Sequence, residues 1–433
     1  MRRFAQPSFS DELGAVSQRS FRYEQLTELT LPVAFTLLEG GIVGVLAAKI
    51  YQVSPLVLAV ITAAPMFGNL SSFLWNKLAT ARTKVRFANV VQLLTILCVL
   101  AIAVAPVNQI GTVLLVAGMI LSRLLIAGII TVRSVVWSLN YPRSLRARTT
   151  GRLQIITSLV TVVISSLVGL LLDANAESFR WIYLGGAISG IVGIWFFSHV
   201  KIVGESRHRV LERRSQRPEA TSRTGFFEVL KNDRNYASYQ THQFVAGCAN
   251  MLLEAPLVFL VTRELHANYT ESIGITMIIP FAMSVVTLPL WARYLDRVHV
   301  AEFRARQSVL WIISQLVLCL GALAGSLIWI GVSRMVQGIA RGGGSLAWQL
   351  GHNDFANPDQ LSAYMGIHVT LTGVRGAIAP FLGMFLYLGW DLQWWSFAGM
   401  GAGLFLLSAV LSVVSWDGFR RLYRRMQLQA TGS

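Results

Sequence analysis

Residues 37–49 read Leu-Leu-Glu-Gly-Gly-Ile-Val-Gly-Val-Leu-Ala-Ala-Lys, and residues 252–263 read Leu-Leu-Glu-Ala-Pro-Leu-Val-Phe-Leu-Val-Thr-Arg. Both stretches are apolar, begin with the same three residues and end at a basic residue. Each continues an apolar run of roughly 20 residues, which is the length a helix needs to cross the hydrocarbon core of a bilayer. The pair therefore predicts membrane-spanning helices and an internal repeat of about 215 residues.

The composition of the whole chain is that of a protein that faces lipid. Hydrophobic residues make up 54% of the 433 residues, charged residues make up 13%, and the mean hydropathy is +0.55. A soluble domain of this length needs more charge to cover its surface. The net charge of +16 lies in short arginine clusters between apolar runs, so we expect no nucleic-acid partner. Cys98, Cys248 and Cys319 lie inside apolar runs and predict neither a disulfide nor a metal site.

Twelve apolar runs of spanning length divide evenly between two halves. They lie near residues 29–50, 54–76, 87–106, 110–139, 152–172, 180–200, 237–262, 272–292, 305–326, 327–349, 363–388 and 393–415. The predicted organisation is an N-terminal tail (1–27), a six-helix bundle (28–200), a basic linker (201–234), a second six-helix bundle (235–416) and a C-terminal tail (417–433). Two alternatives stay open for the first tail: a short amphipathic helix capped at Ser10-Asp11-Glu12, or a chain without fixed structure.

The distribution of basic residues predicts the orientation. With the N terminus inside, cytoplasmic segments hold 29 of the 37 lysines and arginines. The positive-inside rule therefore places both termini in the cytoplasm of a multi-pass protein of the inner or plasma membrane. The loop after span ten departs from this pattern, because it is acidic and contains His352 and Asp354. A helix cap or gate contact is favoured there over a metal site.

Other features recur at nearly the same offset as the opening pair. Pro65, Trp75, Ser122, Arg123, Trp137 and Pro142 in the first half correspond to Pro280, Trp291, Ser333, Arg334, Trp348 and Pro358 in the second. Each half has an even number of spans, so the halves share one topology and are related by an axis along the membrane normal.

Two motifs give the chain a family resemblance. Arg334-Met335-Val336-Gln337-Gly338 in span ten resembles the R-x-x-Q-G element of the major facilitator superfamily. Asp296-Arg297 lies where that superfamily has a G-x-x-x-D-R-x-G loop motif, although the glycines are replaced. The resemblance covers residues 28–416 and implies an all-α membrane protein of about twelve helices in two pseudo-symmetric bundles. It also implies alternating access, with Asp296 and Arg297 in a gating role.

Ionisable residues inside the predicted spans mark the candidate site. They are Glu39, Arg123, Arg133, Glu254, Arg334, Arg341 and Arg375. A charged group at the bilayer centre costs a few kcal/mol, so it usually faces a cavity or a partner. Six of the seven lie on spans one, four, seven and ten, which line the central cavity in the superfamily that the chain resembles. Helical rise places Glu39 and Glu254 about 14–15 Å from the outer surface, near the midplane.

We expect Glu39 and Glu254 to bind the coupling proton or cation. Arg123 and Arg334 are expected to bind substrate or to pair with these glutamates. The alternative is that each glutamate forms a structural ion pair, whose loss would only destabilise the fold.

The remaining candidates are weaker. Arg133 and Arg341 lie nearer the cytoplasm and are expected to extend towards the headgroups or to contact the loop. Arg375 either projects into the cavity or pairs between helices, and Asn250 and Gln337 are further cavity candidates.

Gly342 and Gly343, in a triple-glycine run, are candidate bend points for gating, with close helix packing as the alternative.

The chain contains no Walker A loop and no H-E-x-x-H or G-x-S-x-G motif, so neither an ATP-driven pump nor an enzyme is predicted, and no cofactor is expected. The preferred interpretation is a monomeric secondary carrier, proton-coupled or facilitative, of a small anionic or zwitterionic solute. One alternative is an efflux carrier of cationic or amphipathic compounds, or of a metal ion. Another is a sensor that keeps the carrier fold without transport.

Overall fold

The computed structural model describes residues 14–215, 226–357, 360–392 and 394–431. The first half contains α1 (Ala15–Thr36), α2 (Gly40–Lys49), α3 (Pro55–Leu70), α4 (Ser72–Ala79), α5 (Lys84–Val104), α6 (Gln109–Asn140), α7 (Arg143–Ala174) and α8 (Phe179–Ser198). The linker contains α9 (Glu205–Ser215) and α10 (Phe226–Asn232).

The second half contains α11 (Arg234–Met251), α12 (Glu254–Phe259), α13 (Tyr269–Ile273), α14 (Ile279–Leu295), α15 (Val300–Leu323), α16 (Leu327–Leu350), α17 (Leu361–Leu388) and α18 (Gly403–Thr431). Short π-helical segments, Leu260–Glu264 and Gly274–Ile278, follow α12 and α13. Single 3₁₀ turns lie at Ala176–Ser178 and Gly351–Asp354. A small antiparallel hairpin, β1 (Trp390–Leu392) and β2 (Trp395–Phe397), precedes α18.

The described residues contain ten helical stretches that are long and apolar enough to cross a membrane. A shorter apolar helix, α3, is followed directly by α4, and α16 carries Arg334 and Arg341 among its apolar residues. These two elements complete about twelve crossings. The predicted all-α membrane fold is confirmed.

Spans one and seven are both interrupted at the repeated Leu-Leu-Glu. The first helix ends at Thr36 and α2 begins at Gly40, with Glu39 in an extended conformation. In the second half α11 ends at Met251 and α12 begins at Glu254. Paired glycines follow the first break and Pro256 follows the second, and both residue types weaken helices. The sequence repeat is therefore also a repeat of helix breaks at membrane depth.

The helices extend further than hydropathy predicts. The first begins at Ala15 rather than near residue 28, and its early turns bury polar side chains through hydrogen bonds. Ser20, for example, donates to the carbonyl of Lys201 at 2.8 Å. The last helix is displaced to Gly403–Thr431 because the hairpin occupies the start of the predicted span. Ser10, Asp11 and Glu12 lie outside the described residues.

The linker is helical where the structure describes it, and it docks on the first half. Glu212 of α9 accepts from the Lys84 ammonium at 2.7 Å and from the Ala81 N–H at 2.7 Å. Glu205 accepts from the Lys84 N–H at 2.8 Å. Burial opposes ionisation of Glu212, but the bonds from Lys84 and Ala81 outweigh it and hold the pKa of Glu212 below its usual value.

The two halves meet through α3 against α17 and through α7 against α13. At the end of the molecule remote from the chain termini, one apolar cluster crosses between the halves. It includes Ile42, Val43 and Leu46 of the first half and Ala255, Val258, Ile273 and Met277 of the second.

Polar contacts close the same end. Asp173 accepts from the N–H groups of Tyr269 (2.6 Å) and Thr270 (2.9 Å), and Lys49 donates to the carbonyl of Ala267. We call this set of apolar and polar contacts the outer closure.

Candidate substrate and coupling site

A cavity of about 650 Å³ lies between the two halves. It extends from the helix breaks of spans one and seven towards the end that carries the chain termini. Its charged lining residues are Glu28, Glu39, Arg123, Arg133, Glu254 and Arg341. Three carboxylates thus face three guanidinium groups, and much of the remaining lining is apolar.

The Glu39–Arg123 pair occupies the break of span one. Arg123 donates through Nη1 to Glu39 Oε1 at 3.0 Å and through Nη2 to the carbonyl of Leu38. The second acceptor lies within the break, where regular helical hydrogen bonding is interrupted. The Arg123 side chain is 9% exposed and that of Glu39 is 45% exposed. The Glu39 carboxylate is therefore accessible from the cavity, whereas the buried Arg123 contacts the backbone of the break.

The second half uses its arginine differently. Arg334 is buried and donates to the carbonyls of Ile275 (3.1 Å) and Thr276 (3.4 Å), which lie in a π-helical segment. A π-helical turn disturbs the regular pattern of backbone bonds, and Arg334 supplies donors there. Arg334 is not among the lining residues. Glu254 lines the cavity and is attracted electrostatically by Arg334, but no described residue forms a direct ion pair with it.

Three further candidates fall in different environments. Gln337 and Asn250 line the cavity, and Asn250 Oδ1 accepts from Gln315 at 2.9 Å. Arg375 is buried outside the lining and donates to the carbonyl of Gln243 and to Thr372 Oγ1. Of its two predicted placements, bonding between helices is the one the structure shows.

Arg133 does not extend to the headgroups, and that expectation is wrong. It is buried, donates to Glu28 and lies 3.7 Å from Glu24. The two carboxylates also accept hydrogen bonds from Trp137, Tyr141 and Thr157. Polar partners on three helices thus replace the headgroups as the environment of this arginine. Arg341 is an exposed lining residue without an ion pair among the described residues.

Glu24 and Glu28 were not singled out by the sequence. The early turns of α1 are too polar to be recognised as part of a membrane span from hydropathy, so from the sequence they are assigned to the N-terminal tail. One sequence signal could have found them. Glu24 and Glu28 are spaced i, i+4, so they lie on one face of a helix, and the span that follows contains no arginine to pair with them, which indicates a basic partner on another span.

The loop before α15 makes its carboxylate contact with Asp354 rather than through Asp296 and Arg297. Asp296 and Arg297 are exposed and form no ion pair within the described ranges. Asp354, after span ten, instead accepts from the N–H of Val300 at 2.7 Å, at the start of α15. The acidic loop after span ten therefore provides the carboxylate that contacts this helix end.

Gly342 and Gly343 lie in a continuous helix, α16. A Cβ atom on Gly343 would lie 2.7 Å from the ring of Trp291, and one on Gly342 would lie 2.8 Å from the Ser284 carbonyl. In this conformation the two glycines permit close packing of α14 on α16.

Two six-helix halves around a charged cavity at the depth of broken helices define a multi-pass membrane transporter. A family model described as Major Facilitator Superfamily matches residues 31–301 and 241–417. The chain belongs to this superfamily, whose members are transporters rather than enzymes, and the predicted family is confirmed.

Solved structures agree on the fold. A mutant of the nucleoside transporter NupG matches with a TM-score of 0.71 and 10% identity, covering 94% of this chain and 100% of that chain. A D-xylose-proton symporter matches with a TM-score of 0.68 and 12% identity, covering 93% and 98%. A POT family transporter in complex with 5-aminolevulinic acid matches with 0.67 and 12% identity, covering 92% and 94%. At these identities the likeness shows the fold alone. Comparison with curated protein sequences finds no match.

Proposed function

We propose that the protein is a proton-coupled secondary transporter of a small zwitterionic solute, working by alternating access. The observation that carries this proposal is the cavity at the two helix breaks, with an ion-paired Glu39 at one and an unpaired Glu254 at the other. Transport by structural neighbours, one of them named as a proton symporter, supports it.

The basic loops support an orientation with both termini in the cytoplasm of a cell's inner or plasma membrane. The outer closure then seals the external side, and the cavity faces the cytoplasm. The proposed working unit is a monomer, because one chain supplies both halves of the site.

Coupling is assigned to Glu39. Protonation would remove its charge and with it the ionic attraction to Arg123. Arg123 also bonds the Leu38 carbonyl, so its release would loosen the break in span one. Proton binding and helix rearrangement are therefore linked through one side chain.

The solute class follows from the cavity charges. Arg123 and Arg133 already form ion pairs with carboxylates. Among the described charged lining residues, Glu254 and Arg341 are the two that form no direct ion pair. Counted from the outer helix ends, the two residues differ in depth by about 6 Å at 1.5 Å rise per residue. A solute with one cationic and one anionic group fits both, so the expected solute class narrows from anionic or zwitterionic to zwitterionic.

The test is uptake into proteoliposomes with a panel of small zwitterions, including amino acids and short peptides. We expect Glu39→Gln to abolish accumulation driven by a pH gradient while solute exchange continues. Glu254→Gln and Arg341→Gln should each weaken solute binding by about 10-fold to 100-fold, since a charged hydrogen bond contributes about 1.5–3 kcal/mol. Arg306→Gln, whose side chain pairs with Glu302 away from the cavity, is the control. Unchanged pH-driven accumulation in a folded Glu39→Gln protein would contradict the coupling role.

Export of amphipathic cations is the second candidate, favoured by the apolar lining that includes Phe35, Phe281 and Trp311. Under that function Arg341→Gln would leave binding unchanged or strengthen it, whereas Glu254→Gln would abolish it. Measured flux of any solute would exclude the non-transporting sensor.

A further inference from the structure

The second half buries positive charge without a carboxylate beside it. Arg304 and Arg375 are 7% and 4% exposed. Arg304 donates to Gln307 Oε1 (3.0 Å) and to the Gly344 carbonyl (3.5 Å). The acceptors of Arg375 are likewise neutral. Within the described residues no ion pair includes either arginine.

These cations act on one another. Arg304 repels Arg375 electrostatically. Burying one unpaired charge in a medium of low dielectric constant is costly, and burying two mutually repelling charges is more so. An arrangement of this kind requires a negative charge close by.

The internal repeat shows where that charge belongs. With the offset that aligns Glu39 with Glu254, Glu24 corresponds to Tyr239 and Glu28 to Gln243. In the first half those two glutamates surround the buried Arg133.

In the second half the buried guanidinium of Arg375 donates to the backbone carbonyl of Gln243, the counterpart of Glu28. The second half thus keeps a buried arginine at this depth but has neutral residues where the first half has both carboxylates.

Hydrogen-bond donors around these positions lack partners among the described residues. The acceptor Gln243 Oε1 also lacks a partner there; the donors are Tyr239 Oη, Gln240 Nε2, Arg304 Nε and Arg375 Nε. All four belong to buried side chains, and a buried donor left unbonded costs about 1–3 kcal/mol. Donors are the groups that an anion needs.

We propose that the second half binds one small inorganic anion between Arg304 and Arg375, in the place that Glu24 and Glu28 occupy in the first half. The ion is of the chloride or phosphate class and compensates the buried arginines. Neither arginine lines the transport cavity, so this site is separate from the solute site and does not depend on the proposed transport function.

The test is the thermal stability of the purified full-length protein in chloride, phosphate and gluconate at equal ionic strength. We expect a saturable rise of the unfolding midpoint with chloride or phosphate over gluconate, and the more effective salt identifies the ion. At one hundred times the dissociation constant, one site shifts the folding equilibrium about 100-fold, or about 2.7 kcal/mol.

Gln243→Glu restores the residue of the first half. It should stabilise the protein in gluconate and remove the anion dependence, because the chain then supplies the charge itself. Arg375→Gln should weaken the anion effect at least 10-fold. The matched control, Arg306→Gln, removes an exposed arginine from the same helix as Arg304 and should keep the full effect.

Equal midpoints of the unmodified protein in all three salts would overturn the proposal. So would an undiminished anion effect in Gln243→Glu, because the ion would then act elsewhere. If Gln243→Glu does not fold, Arg304→Gln decides: an anion effect of unchanged size in that protein would also overturn the site.

Discussion

The outer closure predicts that Asp173→Ala moves the conformational equilibrium towards the outward-open state. Asp173 in α7 accepts from the first two N–H groups of α13, which belongs to the other half. Hydrogen bonds to a charged group contribute about 1.5–3 kcal/mol each when buried. Asp173 is largely exposed, so water replaces much of that stabilisation and we expect about 1–2 kcal/mol for the pair. This corresponds to about a 5-fold to 30-fold increase in the outward-open population.

Thiol accessibility measures that population. Val43 is fully buried in the apolar cluster of the outer closure, so the thiol introduced by Val43→Cys can react with an impermeant maleimide only when this end opens. Its labelling rate should rise 5-fold to 30-fold on Asp173→Ala, after subtraction of the reaction of the three native cysteines. Glu177→Ala is the matched control, because Glu177 is an exposed acid nearby that pairs with Arg180 of its own half. Equal labelling rates in the two variants would refute the assignment of Asp173 to the closure.

Two further predictions concern the polar networks at the end of the molecule that carries the chain termini. Arg133→Met should destabilise the protein by about 3–5 kcal/mol, because it leaves buried carboxylates unpaired, and adding Glu24→Gln and Glu28→Gln should recover most of the loss. Thermal unfolding in detergent checks this, and a triple variant no more stable than the single one would contradict it. The docking of α9 should weaken as the pH falls below 4.5, the usual pKa of a glutamate. The folded protein lowers the pKa of Glu212, so the ionised Glu212 stabilises the docked helix above pH 4.5, and this stabilisation is lost as the pH falls through the lowered pKa. Limited proteolysis of α9 should detect this, and Glu212→Gln, which removes the ion pair with Lys84, should be cleaved readily at every pH.

Apolar run length and the repeat were enough to predict the membrane fold, because both depend on local composition. They also identified Glu39 and Arg123 as charged residues within the spans that could pair, and the structure brings these two together. The repeat alone could not show that Arg334 would turn to backbone carbonyls instead of Glu254. That difference depends on a π-helical turn in a neighbouring span, which no local pattern in span ten encodes.

Buried polar residues are the second feature that the sequence alone could not predict. The early turns of α1 are stabilised by partners more than 100 residues away, such as Arg133 and Tyr141, and a hydropathy window contains no information about them. For the same reason the sequence predicts only a basic linker over residues 201–234, whereas Glu205 and Glu212 attach α9 to the loop before α5 and to Lys84. Ion pairs between residues far apart in the sequence are therefore the part of this structure that composition and hydropathy cannot predict.

The outer closure also sets how the empty carrier would respond to solute on its two sides. Solute on the side of the chain termini meets a site that is already open. Solute on the other side can bind only the fraction of molecules in which Asp173 and the apolar cluster have separated. The apparent dissociation constant on that side is the intrinsic one divided by this fraction, so a carrier open outwards for about one part in a hundred would show about a hundredfold weaker apparent affinity there. A single site with one intrinsic affinity would thus give a directional carrier.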